Sequence, residues 1–86
     1  MRIDKFLKNS RIIKRREIAK EACEGGRVSI NGKTAKASTE VKVGDIIEIR
    51  FGAKEVKAEV LQLMEHVTKQ SALQMYNLIS GSEIDE

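Results

Sequence analysis

The glycine pair Gly25-Gly26 separates two kinds of hydrophobic periodicity, and this change constrains the fold more than any other feature of the chain. Before the pair, apolar residues recur at helical spacing; after it, they alternate with polar residues as in strands. Glycine also supplies the left-handed conformation that often ends a helix. Eighty-six residues suffice for one domain. The sequence therefore predicts a single α+β domain, with helices first and a small antiparallel sheet after them.

Two helices are predicted before the glycine pair. The first runs from Asp4 to about Ser10, and Asp4 has a side chain suited to cap it. The second begins at about Lys14 or Arg15 and ends at Glu24. The residues predicted to face the core are Ile3, Phe6 and Leu7 in the first helix and Ile18, Ala19, Ala22 and Cys23 in the second.

The strands predicted after the glycine pair begin with a hairpin. Val28–Ile30 alternates as a strand, Asn31-Gly32 is a strong signal for a tight hairpin turn, and the return strand lies at 33–36. Longer strands are expected at Ile46–Phe51 and at 56–60. Residues 68–80 have the composition of a short C-terminal helix, and residues 82–86 are expected to be frayed.

Charge is distributed unevenly along the chain. Residues 1–36 hold eleven Lys and Arg residues against four acidic ones, a net charge of +7, whereas residues 37–86 have a net charge of −4. Such asymmetry indicates a polyanionic partner for the basic half.

The run Lys14-Arg15-Arg16 lies at the start of the second predicted helix, where the helix dipole disfavours cations. Helix-start amides together with clustered cations form a phosphate-binding surface. The competing interpretation is a solvated run of charges. Arg2, Lys5 and Lys8 would join the surface if the two helices pack antiparallel. The residues predicted to contact RNA are Arg2, Lys5, Lys8, Arg15, Arg16, Lys20, Arg27, Asn31 and Lys36.

Catalytic and metal-binding constellations are not expected. His66 is the only histidine and Cys23 the only cysteine, which excludes an internal disulfide and a cysteine-built metal site. We therefore predict a protein that is not an enzyme and needs no cofactor. The N-terminus does not have the pattern of a signal peptide, and no run of apolar residues is long enough to cross a bilayer. A cytoplasmic protein without membrane contact is expected.

Four motifs resemble the S-four RNA-binding domain. They are, in order, Arg2-Ile3-Asp4-Lys5-Phe6-Leu7, Lys14-Arg15-Arg16-Glu17, Gly26-Arg27-Val28-Ser29-Ile30-Asn31-Gly32 and Val43-Gly44-Asp45. The resemblance implies two packed helices against a small antiparallel sheet, with RNA held by the helix pair. It assigns residues 1–63 to this domain and leaves 64–86 as a helical tail.

Over its whole length the chain is similar to the RqcP-like proteins, stand-alone members of that family in bacterial ribosome quality control. This similarity implies binding to obstructed large ribosomal subunits, with contacts to large-subunit rRNA and peptidyl-tRNA. It also implies a role in C-terminal alanine tailing beside an RqcH-like tailing factor. We expect the protein to be a monomer.

Three other functions stay open. The chain could be a ribosome recycling or assembly factor of the heat-shock type. It could be an enzyme's targeting appendage, although no catalytic domain follows residue 63 in this sequence. It could also be a protein-interaction module that uses its tail as the binding surface.

Salt dependence distinguishes RNA binding from protein binding. If about four to six phosphates are neutralised, a plot of log affinity against log salt should have a slope near −3 to −5. The reason is that each Lys or Arg side chain that binds a phosphate releases counterions from the RNA. Filter binding with ribosomal RNA over a salt series measures this slope. A slope close to zero would instead indicate a contact with protein.

Overall fold

The computed structural model describes residues 1–81; the fraying expected at 82–86 lies outside the described residues. The elements are α1 (Ile3–Asn9), α2 (Arg16–Glu24), β1 (Val28–Ile30), β2 (Lys33–Thr34), β3 (Ile46–Phe51), β4 (Lys54–Val60), α3 (Lys69–Ala72) and β5 (Tyr76–Ser80). The predicted α+β class, with a helix pair preceding an antiparallel sheet, is confirmed. No helix within residues 1–81 combines the length and apolar character needed to cross a membrane.

The sheet is antiparallel, with strand order β2-β1-β3-β4-β5. Its central strand, β3, pairs Ile49 with both Val28 and Val56. These three side chains point to the same face of the sheet, and all are buried. The apolar faces of α1 and α2 share one core with them, so the helix pair covers one side of the sheet.

The hairpin turn lies where the sequence predicts it. Asn31 and Gly32 both have positive φ, at 51° and 85°, as a two-residue turn of this kind requires. The Asn31 side chain also accepts a hydrogen bond from the Ile46 N–H (2.9 Å) and donates one to Asp45 (3.1 Å). The turn is therefore joined to the beginning of β3.

The start of α1 differs from the prediction. The helix begins at Ile3, and the flanking residue Arg2 makes no capping bond with its side chain. The segment at 37–39 supplies the missing acceptors, because Ile3 N–H donates to the Thr39 carbonyl (2.8 Å) and Asp4 N–H to that of Ala37 (3.3 Å). Asp4 was thus wrongly predicted as the cap, and its carboxylate is available for another role.

The C-terminal segment contains a shorter helix than its composition suggests. Only Lys69–Ala72 is helical, behind a capping box of Thr68 and Ser71, whereas Tyr76–Ser80 forms β5. A helix through residue 80 was therefore wrong. The exposed edge of β4 decides the conformation, since it pairs Val60 with Tyr76 and Ala58 with Leu78. Backbone bonds to an existing sheet outweigh the weak helical preference of so short a segment.

Met75 anchors this C-terminal segment. Its side chain is fully buried in the shared core, and its carbonyl accepts the Leu61 N–H at 2.8 Å. Met75→Ala should lower the free energy of unfolding by about 2–5 kcal/mol, because it leaves a cavity in the core. Leu73→Ala is the control: that side chain is exposed, so its removal should cost less than about 0.5 kcal/mol. Urea denaturation measures both, and equal effects would contradict this assignment.

Candidate nucleic-acid interface

A groove on the helix pair, the α1–α2 groove, is lined by Arg2, Asp4, Arg16, Glu17 and Lys20. Three of the residues predicted to contact RNA therefore lie together, although Arg2 precedes α1 whereas Arg16 and Lys20 belong to α2. The three cations and two carboxylates give this groove a net charge of +1.

Asp4 lies at the centre of the α1–α2 groove. Its side chain is only 2% exposed, and its carboxylate is 3.2 Å from Nη2 of Arg2 and 3.5 Å from Nε of Arg16. It also accepts the Lys5 N–H at 2.8 Å. Asp4 thereby fixes an arginine from each helix at one point on the surface.

Both arginines keep donors available for a ligand. Their side chains are 46% and 48% exposed, and each reaches Asp4 through the nitrogen named above. A guanidinium carries five N–H donors. Since Asp4 occupies only part of this set, the outward donors of Arg2 and Arg16 can bind a phosphate in the groove.

The start of α2 adds backbone donors beside these arginines. Arg15 flanks the helix in an extended conformation, with no capping bond from its side chain. The first N–H groups of a helix lack intrahelical partners and attract anions. Basic residues therefore lie beside the first amides of α2, as the run Lys14-Arg15-Arg16 predicted.

Lys14, however, lies apart from Arg16. It lines a different groove, the α1–α3 groove, which is formed by Ser10, Arg11, Lys14, Lys69, Ala72 and Leu73. The basic triplet is therefore divided between two surfaces.

The other predicted contacts do not line the α1–α2 groove. Lys5 donates a hydrogen bond to Glu65, and this bond, together with the lysine charge, holds the pKa of Glu65 below its ordinary value. Arg27 lies beside the backbone of Gly25, at the end of α2 opposite Arg16. Asn31 uses its amide within the hairpin. Lys8, Arg15 and Lys36 are exposed outside the groove.

Sequence reasoning missed three contributors: Asp4 as the residue that holds both arginines, and Arg11 and Lys69 in the second groove. The proximity of Asp4 to Arg2 in the sequence was visible, but its contact with Arg16 depends on how the two helices pack. Arg11 carries a signal visible only in the structure, a positive φ of 62°.

Cys23 has the properties of a core residue. Its side chain is buried, and burial raises the pKa of its thiol to about 11, with the negative charges of Asp4 and Glu24 adding to the shift. The thiol is therefore protonated at neutral pH and a poor nucleophile. Within residues 1–81, no group of three metal-ligating side chains is close enough to hold an ion.

Comparison with known proteins identifies the class. The family model described as S4 domain, the S-four family, matches residues 1–47. The chain therefore belongs to the S4 domain family.

Relatives that match the full chain bear the name RQC P-site tRNA stabilizing factor. The protein from Listeria monocytogenes is 51% identical over 86 residues, which cover 100% of this chain and 94% of the relative. The protein from Bacillus subtilis is 49% identical, with 100% of both chains covered.

A solved structure confirms the fold. The trimeric structure of Vibrio cholerae Heat Shock Protein 15 superposes with a TM-score of 0.84 at 32% identity, covering 93% of this chain and 82% of that one.

Asp4→Asn tests the importance of the buried charge. Asn keeps the size of Asp and an acceptor for the Lys5 N–H, but it loses the charge facing the two arginines. Chemical denaturation should show a loss of about 1–3 kcal/mol. The pKa of Cys23 should also fall, because one of the charges that raises it is gone; the pH dependence of thiol alkylation measures this.

Glu17→Gln is the matched control for Asp4→Asn. Glu17 lines the same groove but is exposed, so its neutralisation should change stability by no more than about 0.5 kcal/mol. If both variants are as stable as wild type, Asp4 does not hold the helix pair together.

Proposed function

We propose that the chain is a non-catalytic RNA-binding protein whose α1–α2 groove binds the RNA backbone. The observation that carries this proposal is the pair of half-exposed arginines held by one buried carboxylate. Fixed guanidinium groups lose less entropy on binding a phosphate than mobile surface side chains do. Lys20 and the first amides of α2 complete the anion site.

The proposed mode of binding is to phosphates rather than to bases. Phe6 and Tyr76 are buried and Phe51 is partly buried, so the aromatic side chains within residues 1–81 offer no broad stacking surface. Phosphate contacts position a protein on RNA without reading its sequence. Selectivity would then come from the shape in which RNA segments present their phosphates.

Lys5, Lys8, Arg15, Arg27 and Lys36 are proposed as peripheral RNA contacts. Lys8 and Arg15 lie on the helix pair, so they can extend the site if the RNA continues beyond the groove. Lys5 would first have to exchange its contact with Glu65. Asn31 would contribute through the shape of the hairpin, since its amide is already hydrogen-bonded, and direct RNA contact by Asn31 is the weaker alternative.

The ribosome is the proposed place of action. Full-length relatives near 50% identity are named RQC P-site tRNA stabilizing factor, and this supports a role with tRNA in ribosome quality control. We propose binding, as a cytoplasmic monomer, to obstructed large subunits, with contacts to rRNA and peptidyl-tRNA. There the protein would support C-terminal alanine tailing by an RqcH-like factor.

A heat-shock-type role in ribosome recycling or assembly is the second candidate. The close superposition on Heat Shock Protein 15, a protein whose solved form is trimeric, favours it. The full-length relatives favour the first candidate, because they are 51% and 49% identical to this chain, whereas Heat Shock Protein 15 is 32% identical.

Arg2→Ala and Arg16→Ala test the proposed site. Each should weaken binding to large subunits by about 1–3 kcal/mol, because each removes a charge-assisted phosphate contact. The remaining arginine still pairs with Asp4, so urea denaturation should show that each variant is folded. Co-sedimentation measures the affinity, and Lys54→Ala, which removes an exposed cation on β4, should match wild type. If both arginine variants also match wild type, the groove is merely a solvated surface.

The same assay separates the two candidate functions. Wild-type protein should prefer subunits carrying peptidyl-tRNA to empty ones, and cells lacking it should fail to add alanine tails to stalled chains. Arg16→Ala should not restore tailing. Equal binding to both kinds of subunit, together with normal tailing in the deletion strain, would favour the heat-shock-type role.

A further inference from the structure

The α1–α3 groove is more cationic than the α1–α2 groove. Three cations, Arg11, Lys14 and Lys69, line it together with Ser10, Ala72 and Leu73, and no acidic residue within residues 1–81 does so. The described residues that line it therefore carry a net charge of +3, against +1 for those that line the α1–α2 groove. Its volume of about 450 Å³ lies in the range of sites that hold ligand-sized groups.

Arg11 occupies a backbone conformation that arginine rarely adopts. Its φ of 62° lies in the left-handed region, which glycine and asparagine enter at lower cost. The only other non-glycine residue with positive φ in the described chain is an asparagine, Asn31, in its hairpin turn. A turn alone would be better served by either of these residues than by arginine. The exposed side chain of Arg11 is therefore the feature that a function would use.

The two grooves lie on either side of one basic segment. Lys14 lines the α1–α3 groove and Arg16 the α1–α2 groove, with Arg15 between them in the sequence. Basic residues that are consecutive in the sequence therefore connect the two grooves, although no described residue lines both of them. An RNA backbone in one groove leaves the residues of the other available to a second RNA segment.

The lining of the α1–α3 groove matches a sugar-phosphate backbone. Its cations suit phosphates, and the side chain of Leu73, 62% exposed, forms an apolar wall beside Ala72 against which a ribose can pack. We propose that this groove binds a second segment of RNA backbone, so that the protein holds two RNA segments at once. This inference rests on the proposed function, and the second segment would come from rRNA or from tRNA.

The double variant Arg11→Asn/Lys69→Ala tests the inference. Asn tolerates the left-handed conformation, so the first substitution removes the cation and keeps the turn. Lys14 is not substituted in this variant, because it takes part in another interaction. Protein-free large-subunit rRNA and tRNA are titrated separately over a salt series. With at least one of these RNAs, the slope of log affinity against log salt should become about 2 units shallower, with affinity roughly tenfold lower. The RNA that shows the change is the source of the segment.

A control of equal charge is Lys54→Ala/Lys57→Thr. Both lysines are on β4 outside the two grooves, and Thr preserves the preference for a strand. This control should keep the wild-type slope, and thermal unfolding should show that both double variants are folded. An Arg11→Asn/Lys69→Ala slope equal to that of the control with both RNAs overturns the inference. Weakened binding to intact subunits but not to protein-free RNA also overturns it, because the occupant is then a protein.

Arg16→Ala, which leaves Arg2 paired with Asp4, separates this inference from the proposed function in the same titrations. If that variant loses affinity and Arg11→Asn/Lys69→Ala does not, only the second groove is rejected. If neither variant loses affinity for either RNA, the proposed RNA-binding function fails as well.

Discussion

The buried carboxylate of Asp4 is the interaction on which the rest of this surface depends. A buried charge is costly unless it is paired and hydrogen-bonded. Asp4 satisfies that condition with Arg2, Arg16 and the Lys5 N–H. Because its partners come from both helices, the contact that compensates the buried charge also sets how α1 and α2 lie together. Stability of the helix pair and presentation of the arginines are consequently one property.

The rest of the domain keeps that helix pair in place. The apolar stripes of α1 and α2 share a core with β1, β3 and β4, and the segment at 37–39 supplies acceptors for the first amides of α1. Met75 extends the same core towards β5. A binding surface built on helices supported in this way is more precise than one built on loops. The sheet therefore supports the two helices that form the proposed RNA site.

In the fold, the basic residues of the first half of the chain are distributed over different environments. The α1–α2 groove combines fixed arginines with two carboxylates, so its donors are well oriented but its net charge is low. The α1–α3 groove carries more net positive charge and an apolar wall, but no carboxylate of the described residues lines it. Lys5 belongs to neither, because Glu65 engages it. The number of basic residues along the chain gives the sign of the net charge but does not reveal these three different environments.

The sequence by itself determined what depends on neighbours along the chain. The helical stripe of α2, its end at Gly25, the Asn31-Gly32 turn and the basic first half all follow from local periodicity, turn chemistry and composition, and the structure agrees with them. The family motifs likewise predicted the order of the helices and strands.

Only the tertiary structure decided the features that join distant parts of the chain. Asp4 meets Arg16 across two helices, Lys5 meets Glu65, and Tyr76 pairs with Val60 to make β5 a strand rather than a helix. Lys14 and Arg16, two residues apart, enter different grooves because one lies before the helix and the other within it. In each case the deciding energy comes from a contact that exists only once the chain is folded, which local pattern cannot contain.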